Sequence, residues 1–356
     1  MPTPLARRLG LAVPIVQAPM AGGWTTPELV AAVAEAGGLG MLAGARVTAE
    51  QLRELIQVTR RLTARPFGLN LQVPVITLEE AARPGNPEPL RRLRVEYGLT
   101  PEPATTPQWV AAEEAVAIAL AEGVRILSVV MGPPGAWLAE ARGAGAIVMV
   151  TVTTVAEALE AERDGADVVI AQGAEAGGHR STFRPGDAAS WPLIGTMALV
   201  PQLVDAVRLP VIAAGGIMDG RGVIAALALG ADAAQLGTRF LLARESGATP
   251  AYRRRLLEAH ETDTVVTDVY SGRPARGIRN RFLDRMAEEG GMPLPWPRQG
   301  ALGAELYRAS FAEDGEWAPL LAGQGLRLAV REQATAEIMR ELTATAREVR
   351  ERLARW

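Results

Sequence analysis

Hydrophobic residues group along the chain into eight short runs that lack the polar alternation of half-exposed strands. Continuous apolar runs of this kind are typical of parallel strands that are buried on both faces. Each run is followed by a stretch with the apolar spacing of a helix. The predicted strands are Pro14–Met20, Leu39–Gly44, Phe67–Val73, Ile126–Gly132, Ala146–Val152, Asp167–Gly173, Pro210–Gly216 and Ala233–Phe240.

Start and stop signals mark the helices between these strands. Thr26 can cap a helix with Pro27 at its first position, and Thr48–Gln51 and Thr154–Glu157 have the spacing of a capping box. Left-handed residues that end helices are expected at Gly37 and Gly230. Eight strand–helix units in series predict an α/β fold, a TIM-type (β/α)8 barrel rather than an open doubly wound sheet.

Two stretches interrupt this alternation. The Pro-rich residues 82–109 predict a long excursion over the barrel mouth, between the third and fourth strands. The helical pattern of residues 271–328 is broken by Pro and Gly and predicts a small helical domain that covers the site. We therefore divide the chain into a barrel (1–270), this small domain (271–328) and a C-terminal helix that packs beside the barrel (329–356).

Composition excludes several classes of function. The 356 residues include no Cys and no Lys, so thiolate and lysine chemistry are both absent. A net charge of −3 argues against nucleic-acid binding, and no apolar run is long enough to span a membrane. We expect a cytoplasmic protein. With only His179 and His260 present, a histidine-based metal site is not expected.

Polar and glycine residues concentrate where the predicted strands end, which is where barrel enzymes place their sites. Glycines and a hydroxyl follow the seventh and eighth strands, at Gly215, Gly216, Gly237 and Thr238. Their backbone N–H groups can approach a phosphate closely, although tight turns alone would also require such glycines.

Amide side chains end two otherwise apolar strands. Asn70 and Gln72 close the third strand and Gln172 the sixth, while Met20 and Ala21 follow the first. Buried amides need hydrogen-bond partners, which either an isoalloxazine ring or an internal network could provide. His179 follows Gln172 in a glycine-rich loop, where it could abstract a proton or serve as a structural residue.

Six motifs in order resemble those of the nitronate monooxygenases, formerly called 2-nitropropane dioxygenases, especially their class I branch. They are PIVQAPMAGG, AGGLGMLAGA, FGLNLQVP, VVIAQGAEAGGHR, PVIAAGGIMDGRG and LGADAAQLGTRFL, and LLAGQG near Leu320–Gly325 is similar to the family's C-terminal signature. The resemblance implies an FMN-binding barrel with His179 as catalytic base. It places FMN contacts at Met20, Ala21, Gly22, Asn70, Gln72, Gln172, Gly177, Gly178, Gly215, Gly216, Gly237, Thr238 and Gln324.

The chain departs from the family pattern in two places. Ser181 stands where the family commonly continues with Gly after GGHR. Class I members also tend to place Tyr and Lys around the substrate, whereas this chain has no Lys and has Trp296 in that stretch. We therefore expect Trp296 and Arg180 to contact the substrate, Arg180 by attracting an anion, although an exposed loop arginine would fit the sequence equally well.

The resemblance implies oxidation of alkyl nitronates, propionate 3-nitronate being one candidate. The nitronate would give one electron to the flavin, and dioxygen would then yield a carbonyl compound and nitrite. The expected partners are a small-molecule substrate and dioxygen, with homodimerisation left open. The alternative enzyme is an NAD(P)H-dependent flavin reductase of the enoyl-thioester or quinone type, and a non-enzymatic phosphate-binding barrel is also compatible with the residues.

Overall fold

A computed structural model describes residues 3–103, 109–328 and 330–355, so residues 104–108 of the predicted excursion and residues 329 and 356 of the predicted last segment lie outside it. Eleven strands lie in these described ranges: β1 Ile15–Gln17, β2 Met41–Ala43, β3 Gly68–Gln72, β4 Ile126–Val130, β5 Ile147–Val152, β6 Val168–Gln172, β7 Gly178–His179, β8 Val211–Ala214, β9 Ala233–Leu236, β10 Thr264–Thr267 and β11 Ala275–Ile278.

Fifteen α-helices are found in the same ranges, together with two short 3-10 helices, Ala188–Ser190 and Gln324–Leu328. The α-helices are α1 Pro4–Arg8, α2 Pro27–Glu35, α3 Ala49–Leu62, α4 Leu78–Ala82, α5 Glu88–Glu96, α6 Ala112–Ala121, α7 Leu138–Gly143, α8 Val155–Arg163, α9 Thr196–Ala206, α10 Gly220–Ala228, α11 Thr238–Leu241, α12 Pro250–Glu258, α13 Arg281–Glu288, α14 Arg298–Ala312 and α15 Thr335–Leu353. None of the described helices is long and apolar enough to cross a membrane.

Eight parallel strands form the barrel, in the order β1-β9-β8-β6-β5-β4-β3-β2. The seam between β1 and β2 is joined by a parallel bridge between Val16 and Leu39, where the Gln17 N–H donates to the Leu39 carbonyl at 2.9 Å. The predicted TIM-type barrel is therefore confirmed, and each of the eight predicted runs contains one of its strands. The eighth strand ends earlier than predicted, at Leu236, because Thr238–Leu241 turns into α11.

The barrel interior is filled by alternate strand residues and sealed at its amino-terminal end by α1. Val16, Met41, Met149 and Ile212 pack with Leu5 of α1 in one buried cluster. A second, larger cluster lies between the strands and the surrounding helices. Side chains fill the lower barrel, and the cavity lined by the strand ends and their loops lies toward the carboxyl ends of the strands.

Helix caps follow the sequence signals, with one exception. Thr26 and Thr48 cap their helices as predicted, Gln51 completing the second capping box. Thr154 also caps its helix, but the Glu157 carboxylate accepts from the N–H of Thr153 rather than from the cap residue. Gly37 and Gly230 follow the ends of α2 and α10 with φ angles of 85° and 97°.

A helical cover, defined here as α5, α13 and α14, stands over the barrel mouth. Its buried cluster joins Leu90 and Leu93 of α5 to Phe282 of α13 and Leu306 of α14. The excursion after β3 and the segment near the carboxyl terminus therefore build one unit. Helix α15 packs outside the barrel against α10 and α2.

A small antiparallel sheet, β10-β11-β7, connects this cover to the barrel. Ala275 on β11 is paired with His179 on β7. The histidine that sequence reasoning placed in a loop is thus held on a strand.

Candidate active site

A cavity opens at the carboxyl ends of the barrel strands, beneath the helical cover. Its floor and walls come from the segments that follow the strands, and its roof includes Tyr270, Ser271 and Tyr307. Most of the sequence-predicted residues line it, namely Met20, Ala21, Asn70, Gln72, Gln172, Gly177, Gly178, His179, Gly215, Gly216, Gly237 and Thr238. Residues from eight barrel strands and their loops thus converge as the fold requires.

Two predicted cofactor contacts lie outside this lining. Gly22 is in the turn after Ala21, with φ at 96°, and does not line the cavity. Gln324 has an exposed side chain, and its backbone N–H donates to the Glu175 carbonyl at 2.9 Å. Its neighbours Gly323 and Gly325 line the cavity instead. The glycines of LLAGQG, rather than its glutamine, face the site.

One wall of the cavity is bare backbone because side chains do not fit there. A Cβ on Gly177 would lie 2.5 Å from the carbonyl carbon of Ala322 and 2.6 Å from the nitrogen of Gly323. Gly215 and Gly216 have φ angles of 120° and 71°, which side-chain-bearing residues rarely adopt. Thr238 holds this wall together, its Oγ1 accepting from the Gly323 N–H at 2.9 Å. Such a wall suits close approach of an anionic group such as a phosphate.

Amides line the opposite part of the cavity, and they are not equally engaged. Asn70 Nδ2 donates to Ser128 Oγ at 2.9 Å. Gln172 is used at both ends: its Nε2 donates to the His179 carbonyl at 2.9 Å, and its Oε1 accepts from the Ser181 N–H at 2.8 Å. Gln172 therefore positions the segment that carries His179, the internal-network role that the sequence left open.

Gln235 on β9 is a lining residue that sequence reasoning missed. Its Oε1 is buried and has no hydrogen-bond partner among the described residues. A buried acceptor without a hydrogen bond lowers the stability of the fold. A bound group with a hydrogen-bond donor at this point would remove that penalty. An isoalloxazine ring has such a donor, and the residues present therefore fit a flavin. The sequence could have indicated Gln235 as a site residue, because it is an amide in an apolar strand, like Asn70.

His179 lies where the barrel meets the cover and is held from both sides. Its Nε2 is 2.8 Å from the hydroxyl oxygen of Ser271, and Trp296 packs edge-on against the ring with centroids 5.3 Å apart. The Ser271 hydroxyl can accept from Nε2–H or donate to a bare Nε2, since the Arg273 carbonyl, at 3.2 Å, is a second acceptor. The imidazole is therefore fixed in place in either tautomer.

The environment of His179 favours its neutral form. Removal from bulk water is the main cause that lowers its pKa to about 3, and the positive charges of Arg46 and Arg273 contribute in the same direction. At neutral pH the imidazole is therefore uncharged, so one of its ring nitrogens carries a lone pair that can accept a proton.

Arg180 does not reach the cavity, which corrects the expectation that it attracts the substrate. Its guanidinium is buried and donates to the carbonyl oxygens of Gly173 at 2.7 Å and Gln172 at 2.9 Å. These contacts direct it away from the site and toward the loop after β6. Trp296 is likewise not a lining residue and reaches the site only through its contact with His179.

Ser181 replaces the expected glycine and is part of the framework. Its hydroxyl donates to the Thr151 carbonyl at 2.9 Å and accepts from the Met131 N–H at 2.9 Å. It therefore ties the His179 segment to the ends of β4 and β5. The departure from the family pattern adds two hydrogen bonds and leaves the histidine in position.

A family model and curated relatives match almost the whole chain. The family model described as nitronate monooxygenase matches residues 5–345. The chain is 41% identical over 332 residues to a probable nitronate monooxygenase of Staphylococcus haemolyticus, covering 91% of this chain and 92% of the relative. It is 37% identical over 338 residues to a probable nitronate monooxygenase of Bacillus subtilis, covering 94% and 96%.

Solved structures agree with this assignment. A nitroalkane oxidase from Streptomyces ansochromogenes superposes with a TM-score of 0.89 at 39% identity, covering 98% of this chain and 99% of that one. FabK from Thermotoga maritima superposes with a TM-score of 0.77 at 31% identity, covering 99% of each chain. The family match spans both the barrel and the helical cover, and the chain therefore belongs to the nitronate monooxygenase family and is a flavin-dependent oxidoreductase.

Proposed function

We propose that this chain binds FMN and uses it with dioxygen to oxidise small alkyl nitronates, propionate 3-nitronate among them, to a carbonyl compound and nitrite. Family membership supports nitronate oxidation in general. The observation that carries the proposal is the placement of His179, whose Nε2 lies 2.8 Å from the Ser271 hydroxyl, in the lining of a cavity walled by glycines and amides.

The choice of FMN rests on the backbone wall. The phosphate would be held by the segments at Gly177, Gly215–Gly216 and Gly237–Thr238, because the glycines there have no side chain that could obstruct an anion. Asn70, Gln72 and Gln235 would hold the polar edge of the ring. The sequence has no dinucleotide fingerprint in a strand–turn–helix setting, so an adenosine half is not expected.

The protein's own part in the reaction is binding, proton transfer and exclusion of water. The chemistry that FMN supplies when bound is acceptance of electrons from the substrate carbon. His179 removes the α-proton when the substrate is a neutral nitroalkane, whereas a nitronate has already lost that proton. Tyr270 and Tyr307 of the roof keep bulk water from this position.

Anaerobic mixing of the flavin-loaded protein tests the proposal. Mixing with a nitronate should change the visible absorption spectrum of the flavin, and mixing with NADPH should not. Rapid reduction by NADPH alone would make the chain a nicotinamide-dependent reductase instead. Mass analysis of the extracted flavin should give FMN, and FAD as the main product would contradict the assignment of the backbone wall.

A further inference from the structure

Arg46 is a cavity-lining cation at the end of the segment that follows β2. It adopts a left-handed backbone conformation with φ at 63°, which directs its side chain into the cavity. Its guanidinium carbon lies 5.9 Å from the ring centre of Trp109. This arrangement places a positive charge in a cavity whose other described lining residues include no Asp, Glu or Arg.

Arg46 is distinguished from the neighbouring arginines by what it lacks. Arg273 pairs with Glu80 at 2.9 Å, and Arg276 donates to the Ala174 carbonyl at 2.8 Å and to Thr264 Oγ1 at 3.1 Å. Within residues 3–103, 109–328 and 330–355, Arg46 has no ion pair and no hydrogen bond. Arg46 is half-buried, and this burial lowers its pKa because the charged guanidinium is partly withdrawn from water.

The position of Arg46 is on the substrate side of the cavity. Its Nη2 is 3.6 Å from the point where a Cβ would stand on Gly300 of α14, a residue that also adjoins Ser271. Ser271 contacts His179, and Arg46 acts electrostatically on both His179 and Tyr307. The charge therefore faces the base and the roof, whereas the backbone wall belongs to Gly177, Gly215 and neighbouring segments.

We propose that Arg46 is the anion-binding residue of the substrate site and pairs with a planar oxyanion of the substrate. The proposal rests on the proposed function for the identity of the substrate, and on the unpaired guanidinium for the interaction. A guanidinium offers two parallel N–H donors that match the two oxygens of a nitronate or of a carboxylate. Binding such a group would supply a counter-charge that none of the described residues provides.

The same pairing explains how the site can tolerate a cation beside its base. The charge of Arg46 opposes protonation of His179. As the α-proton of a neutral nitroalkane moves to His179, the nitronate charge that develops on the substrate would pair with Arg46 and offset that effect. Arg46 is thus a specificity-determining residue for anionic substrates.

The test compares Arg46→Gln and Arg46→Lys with wild type, using flavin-loaded protein. Because Arg46 already has φ at 63°, either replacement meets the same backbone strain. Arg61→Gln, an exposed position on α3, is the matched control for loss of one positive charge. Two substrates separate the sources of the oxyanion: propyl-1-nitronate has only the nitronate group, and propionate 3-nitronate has a carboxylate as well.

Loss of a charge-assisted pair should raise KM roughly ten- to a hundredfold in Arg46→Gln, with a smaller change in kcat and partial recovery in Arg46→Lys. An increase in KM for both substrates identifies the nitronate as the group that Arg46 binds. An increase in KM for propionate 3-nitronate alone identifies the carboxylate. Arg61→Gln should behave like wild type. Unchanged KM for both substrates, or loss of flavin from Arg46→Gln, would overturn the proposal.

Binding of unreactive anions gives a readout that does not depend on turnover. Propionate and nitrite should perturb the flavin absorbance of wild type. For at least one of these anions, Arg46→Gln should require a concentration roughly tenfold or more higher to give the same change. If wild type oxidises no nitronate yet this difference is found, the proposed function fails and the anion site stands. Equal affinity of wild type and variant for both probes would remove the anion site.

Discussion

At the scale of single residues, the most consequential contact is the one between Ser271 and His179. It joins a side chain of the segment between β10 and β11 to a side chain of β7 across 2.8 Å, and Trp296 supports the ring from another direction. An imidazole held in this way loses little orientational freedom when a substrate binds.

Replacing His179 with Asn separates its two proposed roles. Turnover of a neutral nitroalkane should fall about a hundred- to ten-thousand-fold, because removal of the α-proton would lose its base. Oxidation of the corresponding preformed nitronate should fall much less. Steady-state rates on the two substrate forms, with flavin content as the control, check this. Equal losses on both forms with flavin and fold intact would exclude the base role.

The pH dependence of nitroalkane turnover follows from the lowered pKa of His179. Because the folded-state pKa is about 3, the imidazole stays neutral between about pH 5 and pH 8, and kcat/KM should show no loss near the ordinary histidine value of about 6.5. Removing the charge in Arg46→Gln raises this pKa, so the acid-side loss should begin at a higher pH. A wild-type profile that falls near pH 6.5 would contradict the assigned environment.

The lowered pKa of His179 also makes the stability of the fold depend on pH. The unfolded chain takes up a proton on histidine at a higher pH than the folded one, so the contribution of neutral His179 is complete above about pH 6.5 and is lost as pH falls toward the folded value. The free energy of unfolding measured with urea should therefore fall more for wild type than for His179→Asn as the pH is lowered through this window.

Gly216→Val tests the backbone wall. The new side chain should lower FMN affinity by obstructing approach to the phosphate, and φ at 71° adds strain of its own. Gly145→Val is the matched control, because Gly145 has φ at 73° and no atom within 4 Å of its added Cβ, at the start of β5. Flavin titrations should show weaker binding for Gly216→Val alone. Equal affinity in the two folded variants would refute the role.

Residue types at strand ends were predictable, whereas side-chain direction was not. Glycines and amides at the carboxyl ends of buried strands have few explanations besides turns, ligands and networks, and most of them line the cavity. Arg180 follows His179 directly, yet its guanidinium turns into the loop. Arg46, Ser271 and Tyr307 were missed because they reach the site from irregular segments and from the cover, to which no periodicity points.

At the scale of elements, the carboxylate of Glu157 fixes the segment after His179. This buried group at the start of α8 accepts from the Thr153 N–H at 2.7 Å, from Thr153 Oγ1 at 2.8 Å, from Thr182 Oγ1 at 2.7 Å and from the Phe183 N–H at 2.8 Å. One side chain thus joins the end of β5, the first turn of α8 and the loop that leaves β7.

Glu157→Gln should destabilise the fold by about 1–3 kcal/mol, because the amide nitrogen replaces one acceptor and leaves a buried backbone N–H unpaired. Glu160→Gln on the same helix removes only an exposed pair with Arg184, for which a loss of about 0–1 kcal/mol is expected. Urea midpoints of the two variants give the comparison. Similar midpoints would mean that the Glu157 network contributes no more than a surface ion pair.

The barrel elements were predictable because each strand is a continuous apolar run, and burial on both faces requires that pattern. The sheet formed by β7, β10 and β11 was not predicted. Strand β7 has only two residues, Gly178 and His179, and a two-residue strand has no period to detect. Its pairing depends on Ala275, which lies almost a hundred residues further along the chain.

At the scale of the whole molecule, the cavity is shared between the barrel and the helical cover. Gly216 and Thr238 belong to the barrel, while Tyr270 and Tyr307 belong to the cover side. A ligand that fills the cavity contacts both parts, so it stabilises only the state in which they are assembled. Sequence reasoning predicted the excursion and the helical segment separately, because chain order does not reveal that α5 packs against α13 and α14.

FMN added to flavin-depleted protein should therefore raise the melting temperature by a few degrees. At a concentration a hundredfold above Kd, a ligand specific for the native state contributes about 2.7 kcal/mol. Riboflavin at the same concentration should raise it less, because it lacks the phosphate that the backbone wall would hold. Thermal melts with each flavin check this, and equal shifts would show that the phosphate contributes nothing.

The division of the helical cover between two distant segments also bears on how the chain folds during synthesis. Leu90 and Leu93 of α5 leave the ribosome well before their partners Phe282 and Leu306 are made. At a translation rate of about 5–20 residues per second, roughly 190 intervening residues leave α5 unpartnered for about 10–40 seconds. We expect chaperone contacts with nascent chains to persist at this segment until α13 has emerged, even where the early barrel strands have already paired.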